Sequence, residues 1–265
     1  MTSLATPRVG LARALSKLGY CSRSAAVRLI REGQVSVNGT VQRDPERPVS
    51  WERDRIEVEG RAVAAPAKVY LMLNKPRGVV TTASDEKGRE TVYAGLDKNL
   101  PWVGPVGRLD KASEGLLLLT NDSEWSARVL APETHLGKTY HVQLATVADQ
   151  PLLAALIRGV ATDHREVLRA KSARLLRSGS KNSWLEVVLD EGKNRQIRRM
   201  LAACGAELLR LVRVAIGPLT LGKLAKGDSR VLTEEEKQGL DAAMMEKRSL
   251  TGGELRKAKE RSHKS

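Results

Sequence analysis

The order of apolar and polar positions near the start of the chain predicts a small domain of two helices and a short sheet. Apolar residues recur at helical spacing twice within residues 9–33, and each run stops at a glycine, Gly19 or Gly33. Residues 35–41 alternate around an Asn-Gly pair, which is a strong signal for a two-residue hairpin turn. Residues 56–58 alternate in the same way, so a further strand is expected there.

Longer apolar and alternating runs after residue 68 predict a larger, β-rich domain. Its plainest element is the four-leucine run at 116–119, which Gly115 and the Asn121-Asp122 pair bound like a buried strand. The other runs predict a hairpin from 69–73 and 79–82, a loop with a short helix at 85–101, and strands at 140–144, 166–177, 184–190 and 208–216. Helices are predicted at 123–130, at 151–157 and after an Asn194 cap. A capping box of Thr233 and Glu236 predicts the start of a last helix.

These elements predict an α+β protein with two domains. The small N-terminal domain spans residues 8–60, and a linker at 61–67 has weak periodicity and a proline. The larger domain, at 68–245, is expected to contain mixed, mainly antiparallel sheets. Residues 246–265 are polar and rich in Lys, Arg and Glu, so we expect a disordered basic tail.

The charge of the chain indicates a polyanionic partner. Its net charge is +14, and residues 68–232 alone carry 26 Lys and Arg against 17 Asp and Glu. An excess that lies in the body of the chain favours a folded nucleic-acid surface over a flexible basic arm. Phe is absent and only four Tyr and four Trp occur, which argues against a fold that reads single strands on rows of aromatic rings.

Other classes of protein receive no support from the sequence. No apolar run approaches the roughly 18 residues of a membrane span, and the first residues lack a signal pattern, so a cytoplasmic protein is expected. Cys21 and Cys204 lie far apart and without ligand-spaced histidines, and Cys204 is expected in the core. No Walker loop or GxGxxG motif occurs, so neither a metal nor a cofactor is expected.

Three residues are candidates for chemistry. Asp110 lies on a glycine-framed loop before the leucine strand, Tyr140 lies on an alternating strand, and Lys193 precedes a helix. An aspartate can act as a nucleophile without a cofactor when a nearby cation keeps it ionised. Each residue alone has a plainer explanation, because such residues are more often a turn aspartate, a core tyrosine and a phosphate-contacting lysine.

Residues 8–60 resemble the S4 RNA-binding module of ribosomal protein S4 and several RNA-modifying enzymes. The resemblance rests on the first helix with its Gly19, the Ser22-Arg23-Ser24 start of the second helix, and the run from Gly33 to Gly39. It implies an RNA-binding role for the basic helix face that carries Arg13, Arg23 and Arg28, together with Lys17 and Arg31.

Four ordered motifs resemble the RsuA-like family of bacterial ribosomal-RNA pseudouridine synthases. They are Leu73-Asn74-Lys75-Pro76-Arg77-Gly78, Gly107-Arg108-Leu109-Asp110 with the segment through Asp122, Lys138-Thr139-Tyr140, and the run from Glu191 to Met200. With the S4-like module, the resemblance spans roughly residues 8–240. It implies a pseudouridine synthase domain whose sheets surround a central basic cleft.

The same resemblance implies roles for individual residues. Asp110 would be the nucleophile that attacks the ribose or the base of a target uridine, and Tyr140 would stack on the uracil ring. Lys193 would pair with Asp110, although related families usually place an Arg there and Arg195 competes for this role. Further implied contacts with the target nucleotide or RNA come from Arg108, which would hold the nucleotide out of its stack, from Ile197 in the apolar wall, and from the basic helix face of Arg195, Arg198 and Arg199.

The leading hypothesis is a cofactor-independent synthase that acts as a monomer on ribosomal RNA, either free or in a pre-ribosomal particle, with 23S favoured over 16S. One alternative is a non-enzymatic RNA-binding or ribosome-assembly factor that uses the S4-like module and the basic cleft. Another is a hydrolase of glycosidic bonds that uses Asp110 with a second carboxylate such as Glu114. A last expectation places Arg210 and Arg213 together on the face of their strand that lacks leucines and valines.

Overall fold

The computed structural model describes residues 8–64, 66–83, 85, 87–162 and 166–245. The predicted tail at 246–265 lies outside them. The chain divides into two compact units, of which the first comprises residues up to Tyr70 together with 97–104 and 119–124. The second comprises 71–96, 105–118 and the chain from Trp125 onward.

The first unit contains the two predicted helices and a small antiparallel sheet. Ser22 caps the second helix by accepting a 3.2 Å hydrogen bond from the backbone N–H of Ala25. Asn38 and Gly39 both have positive φ, as the predicted hairpin turn requires. The elements are β1 (Val9–Gly10), α1 (Leu11–Lys17), α2 (Arg23–Arg31), β2 (Val35–Val37), β3 (Thr40–Gln42), β4 (Pro48–Val49), β5 (Ile56–Val58) and β6 (Arg61–Ala62).

The sheet of this unit has the order β3-β2-β5-β6, and β1 pairs with β4 separately. Two leucines of α1 and the apolar face of α2 form its core: Leu11, Leu15, Ala26 and Ile30 are fully buried. The predicted helices and hairpin are therefore confirmed. β6 occupies the first two residues of the predicted linker at 61–67.

The second unit contains nearly all of a nine-stranded sheet and its covering helices. The strands run in the order β13-β14-β10-β15-β9-β7-β17, with β16 paired to β15 and β8 to β9. The bounds are β7 (Tyr70–Lys75), β8 (Gly104–Val106), β9 (Glu114–Thr120), α3 (Ser123–Leu130), a 3-10 turn (Pro132–Thr134), β10 (Lys138–Leu144), α4 (Gln150–Arg158), β11 (Val160–Ala161), β12 (Val167–Leu168), β13 (Ser172–Ser178), β14 (Ser183–Leu189), α5 (Gln196–Ala203), β15 (Leu208–Ile216), β16 (Leu219–Thr220), β17 (Ser229–Val231) and α6 (234–245).

An apolar layer between α4, α5 and one face of the sheet forms the main core of this unit. It includes the fully buried side chains of Val142, Leu185 and Met200, and the partly buried Cys204 packs against it. The predicted leucine strand is β9, of which all seven residues are buried. The Thr233–Glu236 capping box forms as predicted, because each residue's backbone N–H donates to the other's side chain.

β9 pairs in parallel with β15, with Glu114 beside Val212 and Gly115 beside Arg213. Gly115 has a φ of +101°, and a Cβ at this position would overlap the backbone of Arg213. Only glycine allows the two strands to approach this closely. Because Asp110 lies on the loop just before β9, this contact helps to fix the position of that loop.

The predicted return strand at 79–82 is wrong. Val80 makes only an isolated bridge with Thr91, and β17 takes the place beside β7. The segment instead follows the Asp110 loop, since the Oγ1 of Thr81 donates to the carbonyl of Leu109 at 2.8 Å. The short helix predicted within 85–101 is also wrong, because the described residues of that segment form turns.

Two details of the predicted helices need correction. Asn194 does not cap α5, because the helix begins at Gln196 after Arg195, which adopts a left-handed conformation with a φ of 48°. The apolar pattern of residues 123–130 also predicts a buried Leu130, but this residue, at the end of α3, is 45% exposed. In the part of the chain that the structure describes, no helix combines the length and apolar character needed to cross a membrane.

Candidate active site

The loop that carries Asp110 is held by a buried lysine. Lys75, at the end of β7, is fully buried, and its Nζ donates to three backbone carbonyls, those of Pro76, Asp110 and Ser113, at 3.0, 3.3 and 3.0 Å. Burial lowers the pKa of Lys75 to about 8, against the opposite effect of Glu114 and Asp110. The ammonium therefore joins the end of a strand to both ends of the Asp110 turn.

The Asp110 carboxylate forms an ion pair with Arg198, in the first turn of α5. Its Oδ2 lies 3.7 Å from Nε of Arg198, and the Asp110 side chain remains 42% exposed. The same guanidinium donates through Nη2 to the carbonyl of Ala112 at 3.1 Å and to Oγ of Ser113 at 3.2 Å. Burial lowers the pKa of Arg198, whereas the charge of Asp110 raises it. Arg198 thus binds both the carboxylate and the loop that presents it.

The structure does not bring the ammonium of Lys193 to Asp110, and Arg195 does not pair with Asp110 either. The Nζ of Lys193 lies 3.0 Å from Oε1 of Glu166 and 3.3 Å from Oε2 of Glu191. A hydrogen bond to Glu166 is the main cause of a raised pKa at Lys193. The turn before α5 directs this lysine toward two carboxylates, and the first turn of the helix then brings Arg198 to the Asp110 loop.

One cleft of the second unit nevertheless brings together most of the predicted site. It has a volume of about 170 Å³. Tyr140, on β10, faces it from the sheet, opposite Arg213 of β15. The predicted residues along its walls are Arg108, Asp110, Tyr140, Lys193, Arg195 and Ile197.

The remaining predicted RNA contacts lie outside this cleft. Arg199 is on α5 but turns away, donating to Glu166 at 3.0 Å and to Thr162 at 2.8 Å. Arg13, Arg23 and Arg28 belong to the first unit, where all three are exposed. Arg23 has a single weak ion pair there, 3.8 Å from Glu46.

Several residues at the site were missed in the sequence. Lys75 belongs to a matched motif, but the sequence indicates no role for it, and the structure places it at the end of β7. Arg213 is 4% exposed and lines the cleft, and Arg210 on the opposite face lies over Trp184, so the two do not share a face. Strand alternation could have separated them, because they are three positions apart.

The second carboxylate of the hydrolase alternative is not available to a substrate. Glu114 is 3% exposed, lies 2.6 Å from Nζ of Lys226 and 3.2 Å from Nε of Arg210, and is not part of the cleft wall. Burial raises its pKa, but hydrogen bonds from Arg210 and Lys226 outweigh burial and lower it. Glu114 therefore acts as a structural anion. No group of His, Cys, Asp or Glu among the described residues is arranged to bind a metal ion.

Comparison with known proteins identifies the family of the chain. The family model for RNA pseudouridylate synthase matches residues 69–203, and the S4 domain model matches residues 9–56. The chain is 38% identical to ribosomal large subunit pseudouridine synthase B of Bacillus subtilis (strain 168), over 88% of this chain and 95% of that protein. It is 40% identical to an uncharacterized RNA pseudouridine synthase of Aquifex aeolicus (strain VF5), over 84% and 89% of the two chains.

A solved structure is also similar. The crystal structure of a pseudouridylate synthase superposes with a TM-score of 0.62 at 32% identity, covering 88% of this chain and 99% of that one. The likeness therefore extends over both the S4-like region and the domain that contains the cleft.

Proposed function

Because this chain belongs to the RNA pseudouridylate synthase family and carries an S4 domain, we propose that it isomerises a specific uridine of large-subunit ribosomal RNA to pseudouridine. The observation that supports this most directly is the ion pair of Arg198 with Asp110, whose side chain lines the same cleft as Tyr140. The large subunit is proposed because the Bacillus subtilis relative is named for it. We propose that the enzyme acts as a monomer in the cytoplasm, on free RNA or a pre-ribosomal particle.

The proposed chemistry needs only the residues of the chain. The Asp110 carboxylate attacks the target uridine at C1′ of the ribose or at the base. In both routes the bond from C1′ to N1 breaks, the uracil turns, a bond from C1′ to C5 forms, and the bond to Asp110 breaks, which releases the free carboxylate. C5 loses a proton and N1 gains one, so substrate and product have the same atoms and no cofactor is consumed.

Arg198 has two roles in this proposal. Its contacts with Ala112 and Ser113 fix the loop, and its contact with Asp110 orients the carboxylate toward the cleft. An RNA strand brings its own negative charge toward Asp110. A guanidinium beside the carboxylate offsets that repulsion while it leaves the outer oxygen of Asp110 free to react.

Tyr140 and Arg108 supply the contacts that a flipped nucleotide requires. A uridine inside a helix must leave its stack, at a cost of a few kcal/mol. The ring of Tyr140 provides a new stacking surface within the cleft, and Ile197 provides apolar contact. Arg108 is exposed at the cleft, where its guanidinium can fill the space that the base leaves in the RNA.

The test is conversion of uridine in transcribed ribosomal RNA without cofactor or metal. We expect 23S transcripts to gain one carbodiimide-dependent primer stop, which marks pseudouridine, and 16S transcripts to gain none. Asp110→Asn should abolish the stop and leave RNA binding intact. Asp97→Asn, in an exposed turn outside the cleft, is the matched control and should remain active.

Each alternative has its own result in this experiment. Intact binding with unmodified uridine in the wild-type reaction would favour the ribosome-assembly factor. Release of free uracil or an abasic site would favour the hydrolase. A stop that persists in Asp110→Asn would reject Asp110 as the nucleophile.

A further inference from the structure

Two cations in the wall of the cleft are partly or fully buried and have no ion-paired carboxylate among the described residues. Lys138 lies on β10 and Arg213 on β15, and both line the cleft. Within the described ranges, no Asp or Glu approaches either side chain to ion-pair distance. Arg198 and Lys193 each have a carboxylate partner, whereas Arg108 and Arg195, which also line the cleft without an ion pair among the described residues, are exposed.

Arg213 is buried with fewer hydrogen-bond partners than its guanidinium has donors. It is 4% exposed, and its Nε donates to the carbonyl of Leu116 at 2.7 Å. Its Nη2 is buried and has no hydrogen-bond partner among the described residues. An unsatisfied buried donor costs about 1–3 kcal/mol, and more when it is charged. A packed core has no need of such a group, whereas an anion-binding site does.

Lys138 extends the same positive region toward the opening. It is partly buried, and its Nζ donates to one protein acceptor, the carbonyl of Leu136, at 3.2 Å. An ammonium has three donors, so two of them remain for a ligand. Burial lowers the pKa of Lys138, and the charge of Arg213 lowers it further, while Asp190 raises it from a greater distance.

The sheet places both cations around Tyr140. Arg213 is the cross-strand partner of Tyr140, and partners in register direct their side chains to the same face. Lys138 is two residues before Tyr140 on the same strand and therefore shares that face. A nucleotide whose base stacks on Tyr140 would therefore lie in the same cleft as both cations.

We propose that Lys138 and Arg213 form a subsite for a backbone phosphate that adjoins the target uridine. This inference rests on the proposed function, because it assumes that a nucleotide enters the cleft. A phosphodiester keeps a full negative charge at any pH at which the protein is folded, and it accepts several hydrogen bonds. A neutral uracil carbonyl would leave the two charges uncompensated. RNA presents such a phosphate on both sides of each nucleotide.

The subsite predicts a preference that can be measured without turnover. Isothermal titration calorimetry with uridine, uridine 5′-monophosphate and uridine 3′-monophosphate compares the phosphate contribution directly. At least one monophosphate should bind wild-type protein about tenfold more tightly than uridine does, as expected from one charge-assisted hydrogen bond. The position of the preferred phosphate identifies which side of the uridine the subsite holds.

Lys138→Met tests whether the lysine provides this preference. The variant should bind the preferred monophosphate about as weakly as uridine, with its affinity for uridine unchanged. Lys181→Met, in the exposed turn between β13 and β14, is the matched control and should keep the preference. Arg213→Met should act in the same way if its thermal unfolding shows that it folds.

Equal affinity for all three ligands, or no detectable binding of either monophosphate, would overturn the proposal. An equal loss for uridine and monophosphate in Lys138→Met would assign the lysine to the base and would also overturn it. The proposed function is rejected separately, by unmodified ribosomal RNA. A phosphate preference without pseudouridine formation would therefore retain the subsite while the synthase activity is discarded.

Discussion

The carboxylate of Asp110 lies 3.7 Å from Nε of Arg198, whereas the ammonium of Lys193 lies beside Glu166 and Glu191. Lys193 lines the cleft, Arg198 contacts Asp110 in the cleft wall, and both cations occur in the same sequence motif. Their different partners assign them different functions, because only Arg198 is positioned to orient the proposed nucleophile.

Arg198→Met should lower kcat about 100-fold, which is the usual effect of removing one group that stabilises charge at a reacting centre. Lys193→Met should change kcat by less than about fivefold, because partly exposed ion pairs contribute little. Single-turnover rates of pseudouridine formation in the 23S transcript measure both effects. The reverse order, with Lys193→Met as the more damaging change, would return the lysine to the role that the sequence predicted.

Lys75 should make stability depend on pH in a defined window. Its pKa is lowered to about 8 in the folded state from 10.5, so between these values the unfolded chain binds more protons. Raising the pH through this window should therefore stabilise the folded protein, by at most roughly 3 kcal/mol. Urea unfolding at pH 7.5, 9 and 10.5 should show this gain in wild type relative to Lys75→Met. If the free energy of unfolding changed equally with pH in wild type and in Lys75→Met, a lowered pKa of Lys75 would be contradicted.

Gly115→Ala should destabilise the second unit by more than about 4 kcal/mol, because the new Cβ would overlap backbone atoms of Arg213. A flexible side chain could move away, but a strand backbone cannot. Gly192→Ala is the control, since a Cβ there meets nothing within 4 Å. The midpoint of thermal unfolding distinguishes them. Similar midpoints would show that β9 and β15 can separate without cost.

Arg28→Ala should weaken RNA binding and reduce its dependence on salt. Arg28 is exposed on the S4 domain, and one lost phosphate contact lowers the slope of log K against log salt by about 0.9. Arg174→Ala is the control, because Glu186 already pairs with that guanidinium at 2.7 Å. Filter binding at several salt concentrations gives both slopes. An unchanged slope for Arg28→Ala would exclude it from the RNA backbone contacts.

Local signals in the sequence were sufficient to predict much of the fold. The Asn38-Gly39 turn, the leucines of β9 and the Thr233–Glu236 capping box each depend on residues a few positions apart, and all three form as predicted. Asp110 and Tyr140 were placed in one cleft by their motifs, and the structure does bring both to its wall.

Pairings between distant segments could not be predicted from such local signals. The choice of Arg198 over Lys193 depends on where α5 starts, and the left-handed Arg195 shifts that start beyond the predicted cap. The failure of the 79–82 strand has a similar cause. β17, from near the end of the chain, takes the position beside β7, and no local pattern in residues 79–82 reports that competitor.

The parallel pairing of β9 with β15 also affects the order in which the two parts of a newly made chain are completed. Synthesis proceeds from the N-terminus, and domains fold as units as they emerge. The strands of the S4 sheet are complete at Ala62, but Asp110 gains its ion-pair partner only after Arg198 has been added, and β9 gains its contact with β15 only after Arg213 has been added. A nascent chain therefore completes its RNA-binding sheet first, so the unfinished enzyme has a domain for contacting RNA and no means of modifying it.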